Sequence, residues 1–159
     1  FQDDRNEIHD ELLREIWEIF GRSDVRGWSD LLDRHQVDTA LVRYHPPIMV
    51  TTEAGAPLGE RGFSALWLPP RDWALVYWDE IAMVLVRRTQ EREDLLAQHE
   101  YTAFRPDDLT HVLSRVTTEP DLAEGVAADV ERALRENPKN ALALRIDRFL
   151  RKGKTPIGL

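Results

Sequence analysis

Residues 73–88 read Trp-Ala-Leu-Val-Tyr-Trp-Asp-Glu-Ile-Ala-Met-Val-Leu-Val-Arg-Arg, and this run decides the fold. Two apolar segments, Trp73–Trp78 and Ile81–Val86, flank the pair Asp79-Glu80. Aromatic and β-branched residues suit a pleated backbone, and so short a link predicts a β-hairpin. Both strands are apolar at nearly every position, so both faces are predicted to be covered. That makes the hairpin a central element rather than a binding edge. Asp-Glu is not the Asn-Gly pair favoured in tight hairpins, so the turn is expected to use flanking residues as well. Arg87-Arg88 mark the return to solvent.

Working upstream, Val37–Tyr44 carries the composition of a buried strand and ends at Pro46-Pro47. Asn6–Phe20 is predicted to be an amphipathic helix, with Ile8, Leu12, Ile16 and Ile19 on one face and Gly21 as its stop. A short helix is expected at Ser29–His35, capped by Ser29. Between Pro46 and Pro70 the pattern breaks. Five prolines and three glycines occupy these 25 residues, and only Phe63–Leu68 is compactly apolar. A connection that long often carries function.

Downstream, the spacing predicts helices at Glu91–His99, Asp107–Val116, Pro120–Glu136 and Ala141–Arg151, with residues 117–120 as a hinge. The predicted class is therefore α/β: a small mixed sheet of about four strands with a central β-hairpin, flanking helices and a C-terminal helical hairpin. A short first strand at the start of the chain is expected to run parallel to Val37–Tyr44, joined by the crossover helix. The expected division is an α/β core over residues 1–105 and a helical tail over 106–159.

Composition narrows the function. The 159 residues carry a formal net charge of −8, which argues against a nucleic-acid surface, since phosphate binding needs clustered Lys and Arg. With no cysteine, disulfides, thiolate zinc sites and cysteine nucleophiles are excluded. The five histidines show no metal-binding spacing, and no glycine-rich phosphate loop occurs, so neither a metal nor a cofactor is expected. The chain opens on Phe1 and has no apolar run near the ~18 residues of a membrane span. A piece of a longer protein is the expectation.

The order of segments carries a resemblance. Gln2-Asp3-Asp4-Arg5, then Leu31-Leu32-Asp33-Arg34-His35-Gln36-Val37-Asp38, then Trp73 through Arg87 resemble the soluble C-terminal region of bacterial polytopic membrane proteins related to the GT-C glycosyltransferases, the dolichyl-phosphate-mannose mannosyltransferase-like class. The likeness covers roughly residues 1–105. Asp4 stands where that family tends to have Gly. The resemblance implies a non-catalytic domain on the extracytoplasmic (periplasmic) side of a bacterial inner membrane. Its partner would be the membrane domain of the same parent chain, and a polyprenyl-linked sugar or glycan acceptor would lie near the parent's active site. The tail, about residues 121–152, is similar to a tetratricopeptide-type helical hairpin, with Asn137-Pro138-Lys139-Asn140-Ala141 as its joint. That likeness implies a protein partner. One such motif is too little for a free solenoid.

Five residues stand out as candidates for ligand or partner contact. Asp3, Asp4 and Arg5 end the expected first strand, where α/β sheets place ligands, although a capping carboxylate explains Asp before a helix equally well. His45 closes the strand before Pro46-Pro47. Trp67 sits in the proline-rich stretch, where it serves either the core or a surface contact with a membrane interface, partner or glycan. No residue is singled out as catalytic. Three functions follow as expectations: the accessory domain, a tetratricopeptide-type interaction module, and a small stand-alone enzyme with a strand-end pocket built on Asp3 and Arg5.

Overall fold

A computed structural model describes residues 10–52 and 54–152. The backbone groups into two compact units, residues 1–38 and 39–159. The described part of the first unit is a pair of helices, α1 (Asp10–Gly21) and α2 (Val25–Arg34). Ile19, Leu31 and Leu32 are buried, and the Phe20 and Trp28 rings meet at 5.0 Å. Helix α2 begins four residues before the expected Ser29. Its N-cap is Asp24, whose Oδ1 accepts from the Gly27 N–H at 2.8 Å. Gly27 permits that cap, because a Cβ there would lie 2.4 Å from Asp24 Oδ2.

Helix α2 closes with two reverse bonds. The Val37 N–H donates to Leu32 O at 2.8 Å and the Gln36 N–H to Asp33 O at 3.0 Å. This pairing needs a left-handed residue between helix and strand, and Gln36 takes it at φ 52°. Asp3, Asp4, Arg5 and the expected first strand lie outside the described residues.

The second unit is built on a three-stranded antiparallel sheet of β1 (Thr39–Arg43), β4 (Trp73–Trp78) and β5 (Ala82–Arg87), in the order β1-β5-β4. The hairpin is where its sequence puts it, and its second strand is the central one. Its turn centres on Glu80-Ile81. The Asp79 N–H donates to Ala82 O at 3.0 Å, while Asp79 Oδ1 accepts from the Ile81 and Ala82 N–H groups at 2.7 and 2.9 Å. Those bonds hold the Asp79 carboxyl below its ordinary value, although burial pulls the other way and is the largest single influence. Asp79 thus supplies the turn chemistry that Asn-Gly would otherwise give.

Register sorts the side chains. Trp73, Leu75 and Trp78 share a face with Met83, Leu85 and Val42, all buried. The opposite face is covered at Ala74 and Val86 but not throughout. Leu41 is 74% and Tyr77 45% exposed there. A bulge between Leu75 and Tyr77 shifts the register so that Trp78 still faces inward.

The proline-rich stretch is more ordered than its pattern suggests. It forms a second, two-stranded antiparallel sheet of β2 (Ile48–Thr51) and β3 (Pro57–Arg61), then a short helix α3 (Phe63–Trp67). Pro57 is tolerated because it opens an edge strand. The turn is closed by Thr52, whose N–H donates to Ala56 O and whose Oγ1 accepts from Ala56 N–H. Gly55 supplies φ 81°. Among the described residues the sheets are thus three-stranded and two-stranded, both antiparallel.

The helices follow their periodicity. They are α4 (Glu93–His99), α5 (Leu109–Arg115), α6 (Pro120–Glu136) and α7 (Ala141–Lys152). A 3-10 turn, Pro106–Asp108, precedes α5. Helices α6 and α7 pack as a hairpin through Val126, Val130, Ala133, Ala143 and Ile146, which are fully or nearly fully buried. Asn140, fully buried, caps α7 by accepting from the Ala143 N–H at 3.0 Å.

The left-handed Gln36 makes a prediction. A side chain in that conformation costs roughly 1 kcal/mol relative to glycine. Gln36→Gly is expected to raise the urea midpoint of the helical pair modestly, read by far-UV circular dichroism, and Gln36→Val to lower it.

Candidate functional site

The segment Arg105-Pro106-Asp107-Asp108 is the polar centre of the second unit. Arg105 is 7% exposed, yet among the described residues no carboxylate pairs with it directly. Its Nη1 donates to Ser64 O at 2.8 Å and also to Leu68 O, and its Nη2 donates to Trp73 O at 2.5 Å. Burial pulls its pKa down to about 10, although Asp107 nearby opposes that pull. These three carbonyls belong to helix α3, its C-cap and the start of β4. One guanidinium therefore fastens both ends of the Pro69-Pro70 connection.

The two aspartates cap the other end of α3. Asp107 Oδ2 accepts from the Ser64 N–H and its Oδ1 from Ser64 Oγ, each at 2.7 Å. Asp108 Oδ1 accepts from the Gly62 N–H at 2.6 Å, and its carboxylate takes a forked pair from Arg61 at 2.9–3.1 Å. Gly62 is required, because a Cβ there would lie 2.6 Å from the Asp107 carbonyl. Burial raises the Asp107 carboxyl above its ordinary value, against the two bonds from Ser64. Asp129 of α6 behaves alike, raised by burial while accepting from the Ala103 N–H at 2.8 Å.

Beside this clasp opens a cleft of about 270 Å³. His45, Pro47, Pro106, Leu109 and Leu142 of α7 line it. Glu80 from the hairpin turn, Asp107 and Arg145 are its charged lining residues. Tyr44 also lines it. The Tyr44 hydroxyl donates to Asp79 O at 2.6 Å. Burial, then the charges of Asp79, Asp107 and Glu80, push that phenol far up, so it stays protonated.

Of the residues singled out in the sequence, the structure places two. His45 is exposed at the cleft mouth, its ring 5.3 Å from Phe63. Phe63 in turn stacks on Trp67 at 6.2 Å. Trp67 is 7% exposed, so its ring is part of the core behind His45 rather than an outer face. The pattern left Arg61, Ser64, Arg105, Asp107 and Asp108 unmarked. Its available signal was two adjacent acids after Arg-Pro, which read as a helix start alone. Chemically the cleft offers a mainly apolar lining, one exposed imidazole, the carboxylates of Glu80 and Asp107 and the guanidinium of Arg145. That is equipment for holding a ring or side chain. Among the described residues no three His, Asp or Glu side chains gather as metal ligands.

Compared with protein-family models, curated proteins and solved structures, the chain finds no match in any of the three.

The clasp makes two predictions. Arg105→Met takes the guanidinium from Leu68 O and Trp73 O, and leaves Ser64 O with only the Leu68 N–H, so it is expected to destabilise the second unit by roughly 3 kcal/mol, with Arg105→Lys losing less. Urea unfolding followed by tryptophan fluorescence measures both. The second concerns pH. Asp107 and Asp129 have folded-state values above the ordinary 3.8, so the folded state binds their protons more readily. Their burial cost is fully felt at neutral pH and is relieved as pH falls through the raised values. Asp79 and Glu136 are lowered, so their stabilisation is lost only at more acid pH. Thermal stability is expected to rise from pH 7 toward the ordinary carboxylate range and then fall. Asp107→Asn, which keeps an acceptor for Ser64, is expected to flatten the rise.

Proposed function

We propose that this chain is a non-catalytic soluble domain of a membrane-embedded glycosyltransferase-like protein, on the extracytoplasmic side, where it stabilises the membrane part and holds an acceptor or partner beside it. One observation supports this reading: where the buried charge goes. Arg105 serves backbone carbonyls, while Asp107, Asp108 and Asp129 serve backbone N–H groups, with Ser64 and Arg61 as their side-chain partners. The Tyr44 proton serves a carbonyl too. A general acid or base needs a proton within reach of a substrate, whereas these groups are bound into the scaffold. The open cleft at His45 is mainly apolar and sized for one ring or side chain.

The parent comes from the resemblance carried by Gln2–Arg5, Leu31–Asp38 and Trp73–Arg87. Its reaction would be sugar transfer from a polyprenyl-phosphate donor, run in the membrane helices and their loops. A second reading, a tetratricopeptide-type interaction module, draws on the joint at Asn137–Ala141. There Asn137 Oδ1 accepts from the Lys139 N–H at 3.1 Å and Asn140 caps α7. Such a joint presents α7, with Leu142 and Arg145, to whatever enters the cleft.

The test uses the parent in membrane vesicles, with transfer from a polyprenyl-phosphate sugar as readout. Leu142→Glu puts a charge into the cleft wall. It is expected to raise the acceptor KM several-fold while kcat holds. A kcat that collapses in His45→Ala, with folding intact, would assign chemistry to this chain and sink the reading. A coding sequence without upstream membrane spans would sink the proposed parent.

A further inference from the structure

A second cavity, of about 160 Å³, borders the clasp at Arg61, Arg105 and Asp108 and gathers four arginines: Arg61, Arg88, Arg105 and Arg115. Half-buried His111 joins them. In a chain of formal charge −8, such a gathering runs against the overall field. Three of the four have carboxylate partners. Arg61 forks onto Asp108. Arg88 pairs with Glu100 and donates its Nε to Pro70 O at 2.9 Å. Arg115, the last residue of α5, forks onto Glu119, the N-cap of α6, at 2.7–2.8 Å. Arg105 bonds directly to carbonyls, with the Asp107 charge nearby. The lining itself sets four guanidinium groups against two carboxylates, Asp108 and Glu100, while Glu119 and Asp107 stand behind it.

We propose that this cavity binds a small oxyanion, a phosphate group, through Arg105 as the fixed inner charge and Arg115 as the movable outer one. Several guanidinium forks around a small polar cavity suit tetrahedral phosphate, because each fork matches a pair of phosphate oxygens. Arg61 and Arg88 are held in place by their carboxylates and shape the walls. Arg115 is different. Its side chain is 47% exposed, and its fork onto Glu119 lies in solvent, where water and salt screen it. An anion that offers the same fork can take the place of Glu119. The site is separate from the His45 cleft and does not rest on the membrane parent.

The phosphate can come free in solution or as the headgroup of a lipid. Both arms use the chain itself at low ionic strength, where charge attraction is least screened. In the first, inorganic phosphate is titrated by calorimetry. A dissociation constant of about 1 mM or tighter is expected. In the second, phosphatidylcholine vesicles with and without phosphatidic acid are tested by cosedimentation. Arg115→Gln is expected to weaken binding about tenfold or more, the loss of one charge-assisted fork. Arg135→Gln, which removes a paired and more exposed arginine of α6, is expected to leave it unchanged. Phosphate binding that responds to Arg115 establishes a free ligand. Vesicle binding alone that responds to Arg115 assigns the headgroup. No binding in either arm, or equal losses in both variants, overturns the proposal.

Discussion

Taking a guanidinium out of water is costly unless its donors are all met, and the second unit accepts that cost at Arg105. Its partners are three backbone carbonyls, contributed by α3, its C-cap and the first residue of β4. A helix of five residues is marginal by itself. Here its carbonyl end faces a cation and its amide end faces two carboxylates, which is the polarity that a helix dipole favours. The proline-rich stretch folds because four consecutive residues, Arg105–Asp108, bracket it from outside. Without them, buried N–H and C=O groups of α3 would be left without partners, and the lining of the His45 cleft would have no fixed shape.

How far the fold was readable follows from the range of the forces involved. The hairpin, α6 and α7 announce themselves in apolar spacing, which depends only on neighbours in sequence. Pro120–Glu136 is bounded where its pattern puts it, by a proline at the start and Asn137 at the end. Helix α2 was harder, since Ser29 and Asp24 are both capping residues. What selects Asp24 is Gly27, whose missing side chain makes room for the carboxylate. The second sheet was invisible as a pattern because Pro57, Gly55 and Gly59 read as breakers, while the structure uses them at an edge, a turn and a bulge.

The site was less readable still, for a related reason. Asp107 and Asp108 act on partners 43–47 residues away, so nothing in their local context reports the role. His45 could be picked out as an exposed polar residue at a strand end. Its surroundings could not. Phe63 and Trp67 come from α3 and Leu142 from α7, far apart in sequence, and their convergence is a property of packing. Helix α6 shows the same division of labour. Its apolar stripe was plain, but Asp129 and Arg132, which reach across to Ala103, Glu100 and His99, were ordinary charged residues until placed.

The distance along the chain between Gly62 and Asp108 has a consequence for how the molecule assembles. Short-range contacts form first because they close small loops, and closing a long one must be offset by what it brings together. Helix α3 has no side-chain cap from its own neighbourhood, so its ends stay unsettled until residues 105–108 arrive. The order of events is then hairpin before clasp, and clasp before cleft. A ribosome that has released the chain only as far as residue 100 holds strands that can pair but a proline-rich stretch that cannot yet settle. The cleft at His45 is among the last features of residues 39–152 to take shape.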